Sequence, residues 1–469
     1  FLKTTAVAAG AAALGRSAAA TATPPMTVAA VGDLIPNRRF SERREQGFLD
    51  IVEILRTADC AWGNCETVLA DPDRVYPSYK EGDPYTLCEP WGADELAFLG
   101  LDCVGTANNH IVDWGLEGLF STLEHLDRVG LAHAGSGRDL AHAAAPGYRD
   151  TSGGRVAQVN CASTFRDYFA AGESNTFVRG RPGLNPIHLD SMLRAPAEVV
   201  EWFRGAFPRI IELQGAAFFQ DLIDDFMAKL PPGSVPFDRT LITTGDEVDL
   251  IGVAQQPDLD RIYASIAVAR RNARVVMATL HAHEARSSLD LNAPFIEPFA
   301  RGAIDAGADC FFAAGPHVLR GIELHEGRPI FYGLSNFVFQ YANNPRVPAS
   351  AWQRMGFPAD SVDPSLYSGK IPYNDHPQFW ETIVPVITYE GGDVTGDEAL
   401  VSIERPRITD IVLYPVTLGF GEPIWRRGTP SLAHGDAARE ILDKVVRLSE
   451  PYGTEIDIDE DVGRIVLPG

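Results

Sequence analysis

Imidazoles, carboxylates and carboxamides stand in this chain at the places where apolar runs stop. The run at 275–280 (VVMATL) leads directly into His281, His283 and Glu284, and the run at 310–315 leads into His317. Earlier, 26–31 (MTVAAV) ends in Gly32-Asp33, 60–63 ends in Asn64 with Glu66 behind it, and 101–107 ends in Asn109-His110 with Asp113 close by. Short apolar runs bounded by such residues read as buried strands, and open α/β sheets gather ligands outside the carboxyl ends of their strands. A lone Asp or Asn after a strand is ordinarily a turn or a helix cap. Five such ends in one chain form a pattern. Imidazole with carboxylate and carboxamide, and no cysteine among them, suits one or two divalent ions such as Mn, Fe or Zn.

The elements that must position these groups alternate. Helical spacing is predicted over 48–56 (Phe48, Ile51, Val52, Leu55) and over 115–129, where Leu116, Leu119, Phe120, Leu123 and Leu126 form the expected buried stripe. The segment 294–307 carries Phe295, Phe299, Ala303 and Ala306 at helical spacing between the His281 and His317 runs, so those two strands are expected to be parallel. A further helix is expected over 259–272. The rhythm breaks between about 161 and 258. There the stretch 193–230 is amphipathic, with Trp202, Phe203, Phe207, Phe218, Phe219 and Phe226, and reads as a helical cap insertion, either a lid over substrate or a packing helix pair. Beyond 345, strand-like runs at 382–389 and 408–418, a helix at 437–448 and a strand at 464–467 read as a C-terminal α+β extension that completes or flanks the sheet. The fold class is α/β.

Composition narrows the partners. The chain has 469 residues, 45% of them hydrophobic and 22% charged, with a net charge of −23. Such a charge repels a phosphate backbone, so nucleic acid is not expected as a partner, and an acidic polymer would need a local basic patch or a metal to receive it. Arg38, Arg39, Arg43 and Arg44 offer such a patch, or else a solvated helix start. Residues 1–24 read as the remnant of an export signal: an alanine-rich apolar run from Thr4 to Leu14 precedes small residues of A-x-A type, and the FLK start resembles the end of a twin-arginine signal. No later stretch reaches 18 apolar residues, so no transmembrane helix is expected in the mature chain. The six cysteines, Cys103 and Cys310 in strand-like runs among them, are expected as unbridged core residues.

The pieces VGDL (31–34), NCE (64–66), ANNHIVDWG (107–115), LHAHE (280–284), GPHVLRGIE (315–323) and PIFYGLSNF (329–337) resemble the CapA/PgsA poly-γ-glutamate capsule proteins. The likeness spans about residues 27–340, in that family's order. It implies a domain over about 25–345 with a variant of the calcineurin-like metallophosphoesterase fold, layered β sheets flanked by helices. Carried over position by position, it implies Asp33 and His317 as ligands of a first metal and Asn109 and His281 as ligands of a second. Glu66 would bridge the two, and His110 would protonate the leaving group. The chain departs from the two-metal pattern at Ile35, where an imidazole is due, and at Ala314 or Gly315, where a second histidine is due before His317. His283 stands as a replacement ligand. Glu284 and Asp113 stand as replacements or as catalytic groups beside His110, and a single-ion site is the other outcome. The activity implied is that of an exported hydrolase or transferase working on an anionic cell-surface polymer, with membrane partners of capsule synthesis. The alternatives are a polymer-binding or assembly subunit with a reduced metal site, and a hydrolase of small esters or amides.

Overall fold

The computed structural model describes residues 24–80, 84–213, 220–340, 346–363, 366, 372–392, 394–395 and 402–468. The export-signal expectation for 1–23, and the aromatics Phe218 and Phe219 with the side chain of Phe226, lie outside the described residues.

Two sheets lie face to face between two helical layers. In the first, Met26–Ile35 is central: it pairs in parallel with Cys60–Asn64 on one side and with Asn336–Phe339 at its carboxyl end. Cys103–Gly105 and Ala132–Ala134 continue the parallel run outward. On the opposite flank Glu381–Glu390 pairs antiparallel with the central strand, and Arg407–Thr417 with Glu381–Glu390. The hairpin of Ile456–Asp459 and Val462–Ile465 closes that edge. The C-terminal segment therefore contributes strands to the same sheet. The second sheet has six strands, in the order 147–151, 154–162, 275–281, 310–314, 328–331 and 322–325. Val275–His281 and Cys310–Ala314 are parallel, with the helix Ile296–Asp305 between them in sequence.

The inner core is built where the sheets meet. Trp62 stacks on Phe312 with ring centroids 5.8 Å apart, and its indole N–H donates to the Gln158 side chain at 2.9 Å. The outer face of the first sheet is covered by the helices Gln46–Thr57 and Trp91–Leu99, through Phe48, Ile51, Leu55, Leu96 and Leu99. That of the second is covered by Gln256–Arg270 and Ile296–Asp305, through Ile262, Ile266, Phe299 and Ala303. Each such fully buried large side chain contributes about 1.5–3 kcal/mol. The backbones approach most closely at Gly32, where a Cβ would lie 1.9 Å from the Ser335 carbonyl oxygen, so the strand pair 26–35 and 336–339 can close only on glycine.

Two expectations need correction. In the helix Gly115–Val129 the buried face is Gly118, Leu119, Thr122, Leu123 and Leu126, whereas Leu116 and Phe120 are exposed. The true stripe uses two small residues to let the helix approach the chain at Val68, and an apolar count does not register them. The insertion also holds more than helices. Ala197–Leu213 and Gln220–Lys229 fall where helices are predicted, but with them goes a four-stranded sheet of Leu189–Ala195, Val235–Phe237, Thr240–Thr244 and Asp249–Ala254. Its small core is Ala195, Val200, Val235 and Ile242. No helix among the described residues is long and apolar enough to cross a membrane. All six cysteines are buried and unbridged.

Candidate metal centre

The parallel strands of both sheets end at one place. Asp33 is in register with Asn64 and with Asn336, and Asn64 with Gly105, so the first sheet presents these residues along one edge. In the second sheet His281 is in register with Ala162 and Ala314. The loops beyond add Glu66, Asn109, His110, His283 and His317. His317 has φ +59°, a left-handed conformation uncommon in a residue with a side chain and characteristic of functional loops.

Glu66 is the centre of the cluster. It is fully buried, and neither carboxyl oxygen has a hydrogen-bond partner. Its Oε1 lies 3.7 Å from His281 Nε2, 3.7 Å from His283 Nε2 and 3.8 Å from His110 Nε2. The two ring nitrogens of His281 and His283 are 3.0 Å apart. Glu66 Oε2 lies 3.9 Å from His317 Nδ1, which is itself 3.1 Å from Asp33 Oδ2 and 2.8 Å from Asn336 Oδ1. Donor atoms bound at about 2.1 Å to one ion stand roughly 3.0–3.4 Å apart, so separations of 3.0–3.9 Å suit a cation on each side of the Glu66 carboxyl. Two donor groups, Glu66 with His283 and His317, and Asp33 with Glu66 and His281, have all their ligand atoms within 4.8 Å of one another. The buried Oδ1 atoms of Asn64 and Asn109 are likewise without a partner. Buried acceptors left unpaired are costly, and a divalent cation is the group that would satisfy them. The residues fit a metal.

The electrostatics point the same way. Burial works against the charge of Asp33, but the imidazoles of His317 and His281 and the Asn64 amide (2.8 Å) outweigh it and hold its pKa below the ordinary value. Burial, then the Asp33 charge, push Glu66 well above the usual carboxylate range. Burial pushes His281 down to about 3 and lowers His110 and His283, although 30% of the His283 side chain is exposed. Neutral imidazoles are the form that binds metals.

The remaining expected residues are placed differently. Asp113 is fully buried: one oxygen accepts from Lys80 Nζ at 2.6 Å, the other from the Thr86 N–H at 2.9 Å, with His110 Nδ1 at 2.6 Å. It orients His110 rather than joining either donor group. The Glu284 carboxylate accepts from Ser163 Oγ at 2.7 Å and Thr164 Oγ1 at 2.9 Å, and so fastens a neighbouring loop. Asn109 lines the cavity above the cluster, and its carbonyl oxygen accepts from Lys80. The cavity measures about 310 Å³ and is walled by Ile35, Pro84, Phe165, Phe339 and Tyr373, with Arg166 among the polar residues. Among the described residues, none that lines the cavity comes from the inserted module 189–254. The arginine patch is engaged elsewhere: Arg39 pairs with Glu95 at 3.3 Å, Arg38 donates to the Arg427 carbonyl at 2.6 Å, and Arg43 donates to that of Arg426.

Sequence reasoning missed Lys80, Arg166 and Tyr373. Lys80 and Tyr373 sit in stretches without periodicity. Arg166 had a signal, because Gly154–Ala162 is itself a strand of the second sheet and its carboxyl end leads to Ser163–Arg166.

The chain is 32% identical to the "Uncharacterized protein y4sH" of Sinorhizobium fredii (strain NBRC 101917 / NGR234), over 94% of this chain and 93% of that protein. It is 22% identical to the "Capsule biosynthesis protein CapA" of Bacillus anthracis over 67% of this chain and 60% of that protein. It is 23% identical to the "PGA biosynthesis protein CapA" of Bacillus subtilis (strain 168), over 66% and 62% respectively. The family profile described as "Bacterial capsule synthesis protein PGA_cap" matches residues 27–341. With the strand-end residues of both sheets inside that span, the chain belongs to the bacterial capsule synthesis protein PGA_cap family.

Proposed function

We propose that the protein is an exported, metal-dependent hydrolase or transferase acting on an anionic cell-surface polymer, in poly-γ-glutamate capsule synthesis, export or attachment. The observation that carries this reading is Glu66, a buried carboxyl whose two unpartnered oxygens face two sets of donors at the floor of a cavity. A divalent ion bound there supplies positive charge to hold an anionic group and to acidify water. The chain's own residues do the rest. Asp33, Glu66, Asn109, His281, His283 and His317 would hold the ion or ions. His110 presents Nε2 to the same space while Asp113 fixes its Nδ1, and so moves a proton at the leaving atom. Asp113 and Glu284 act as positioning residues. Export is supported by the apolar run from Thr4 to Leu14 with small residues behind it, and the CapA relatives support the capsule pathway. In this reading the partners are the polymer and membrane components of capsule synthesis.

A non-catalytic polymer-binding subunit is the second reading, favoured by Ile35 at the cavity wall where the two-metal pattern has an imidazole. Elemental analysis of protein purified without chelator, for wild type and His281→Ala, separates the two. The enzyme reading expects one to two equivalents of Mn, Fe or Zn, reduced in the variant, with turnover of phosphoesters or γ-glutamyl amides that His110→Ala abolishes. No metal after reconstitution with all three would sink it.

A further inference from the structure

Gly154–Ala162 lies in the second sheet beside Val275–His281, and the face it turns toward the first sheet carries two buried amides, Gln158 and Asn160. A buried amide costs free energy unless it is hydrogen-bonded. Gln158 is satisfied within the inner core, by the Trp62 indole and by the Ala132 carbonyl at 3.1 Å. Asn160 is satisfied instead by the residues that lead into the metal centre. Its Oδ1 accepts from the Ala107 N–H at 2.7 Å, just ahead of Asn109 and His110 in the chain. Its Nδ2 donates to Thr279 Oγ1 at 2.9 Å, and Thr279 shares one face of its strand with His281. Two glycines make room for the amide. A Cβ on Gly135, which has φ +102°, would lie 2.1 Å from Asn160 Oδ1, and one on Gly105 would lie 2.8 Å from Nδ2. The loop that begins at Ala107 is also tied to the Glu66 turn, since Asn108 Nδ2 donates to the Cys65 carbonyl at 2.8 Å.

From this juxtaposition we propose that Asn160 is a positioning residue, which sets the spacing between the metal-binding groups of the two sheets. Asn109 and His110 follow a strand of the first sheet and His281 ends a strand of the second, so their separation depends on how the sheets are held at this edge. One planar amide joins the two approaches. Its oxygen holds the backbone that bears Asn109 and His110, and its nitrogen holds the strand that bears His281. Residues that stand behind metal ligands ordinarily change metal affinity by about 10–100-fold when they are removed. The role of Asn160 rests on the Glu66 cluster being a metal site.

The test is calorimetric titration of Mn into wild type, Asn160→Ala, Thr279→Val, Thr279→Ser and Gln158→Ala, with urea unfolding of each in EDTA. Asn160→Ala is expected to raise the Kd for Mn about tenfold. Thr279→Val, close in shape but without the hydroxyl, should raise it less, and Thr279→Ser, which keeps the hydroxyl, should match wild type. Gln158→Ala is the control for an amide that only fills the core, and should lose stability with its Kd unchanged. Should Asn160→Ala fail to fold, Thr279→Val against Thr279→Ser decides: a higher Kd in Val alone supports the role of Asn160, and equal values overturn it. A folded Asn160→Ala that loses stability but binds Mn like wild type overturns it, as does an equal rise in Gln158→Ala. Wild type that binds no Mn refutes the metal reading and this role together, whereas Mn bound equally well by all five proteins refutes the role of Asn160 alone.

Discussion

Replacing Glu66 by Gln should reverse its effect on stability according to whether metal is present. In the metal-free protein the carboxyl is fully buried without a hydrogen-bond partner, and burial together with the Asp33 charge raises its pKa well above 4.5. The sign comes from linkage. An acid whose folded pKa exceeds its unfolded value contributes stability that is fully present below the unfolded pKa and is lost as pH rises through the folded pKa. For every pH unit that separates the folded value from the unfolded one, the loss at neutral pH is about 1.4 kcal/mol. Gln has the same length and cannot ionise, so in chelator at pH 7 the Glu66→Gln protein should be more stable than wild type by about 1–3 kcal/mol. In melting temperature that is on the order of 1–4 °C for a chain of this size. With Mn in excess the order inverts. A ligand at about a thousand times its Kd stabilises the folded state by about 4 kcal/mol, and the variant, lacking the carboxyl common to both donor groups, forfeits most of it.

The assay is thermal and urea unfolding of both proteins in EDTA and in Mn, repeated in EDTA at pH 4.5. There folded Glu66 is protonated and the unfolded side chain about half so, and the gap should shrink to a few tenths of a kcal/mol, about RT ln 2. A variant less stable than wild type in EDTA, or stabilised by Mn as much as wild type is, refutes the reasoning.

The same geometry sets two further outcomes. Lys80 and Asp113 form an ion pair with both side chains fully buried. Asp113→Ala leaves the ammonium without its counter-charge and the Thr86 N–H and His110 Nδ1 without their partner, and should cost about 3–5 kcal/mol in urea unfolding; Lys80→Met leaves Asp113 its other two partners and should cost less, and the reverse order would contradict this account. The metal-free protein should also lose stability as pH falls below about 6.5, because the unfolded chain takes up protons that buried His110 and His281 refuse. The slope is about 1.4 kcal/mol per pH unit for each, continuing for His281 toward pH 3. It is best read on Glu66→Gln, where Glu66 no longer opposes it, and a flat profile between pH 6.5 and 4.5 would contradict it.

The strand-end residues were legible because burial writes itself into sequence as apolar runs, and the sheet itself places the residue that ends each run at its carboxyl edge. Asp33, Asn64 and His281 belong to that class. Lys80 was not legible: its partner Asp113 is 33 residues away, and nothing local marks a lysine whose surroundings are supplied by a distant turn. The inserted sheet was hidden for a different reason. Its strands are only partly buried, Leu189–Ala195 having one fully buried residue, so alternation is weak while the aromatic helices beside it dominate the pattern. Leu116 and Phe120 show the converse error, in which apolar residues drew attention away from Gly118 and Thr122.

The departures at 314–315 and at 283 are one change seen from two sides. Ala314 is in register with His281, and Gly315 next to it has φ +107°. A Cβ on Gly315 would lie 3.0 Å from His281 Cε1 and 3.0 Å from His283 Cδ2. A larger side chain there would occupy the space through which His283 reaches Glu66. The residue where the two-metal pattern expects an imidazole is therefore, in this chain, the residue whose small size admits another one. Its N–H meanwhile donates to Asp33 Oδ2 at 3.1 Å, so the same glycine also steadies the carboxylate on the far side of the cluster. The departure at Ile35 has no such counterpart. Its side chain lines the cavity as apolar wall, and the Asp33 side is completed by His317 with Asn336 behind it. The two sides of Glu66 are accordingly unequal, with two imidazole nitrogens within 3.7 Å of Oε1 beside His110 and one within 3.9 Å of Oε2.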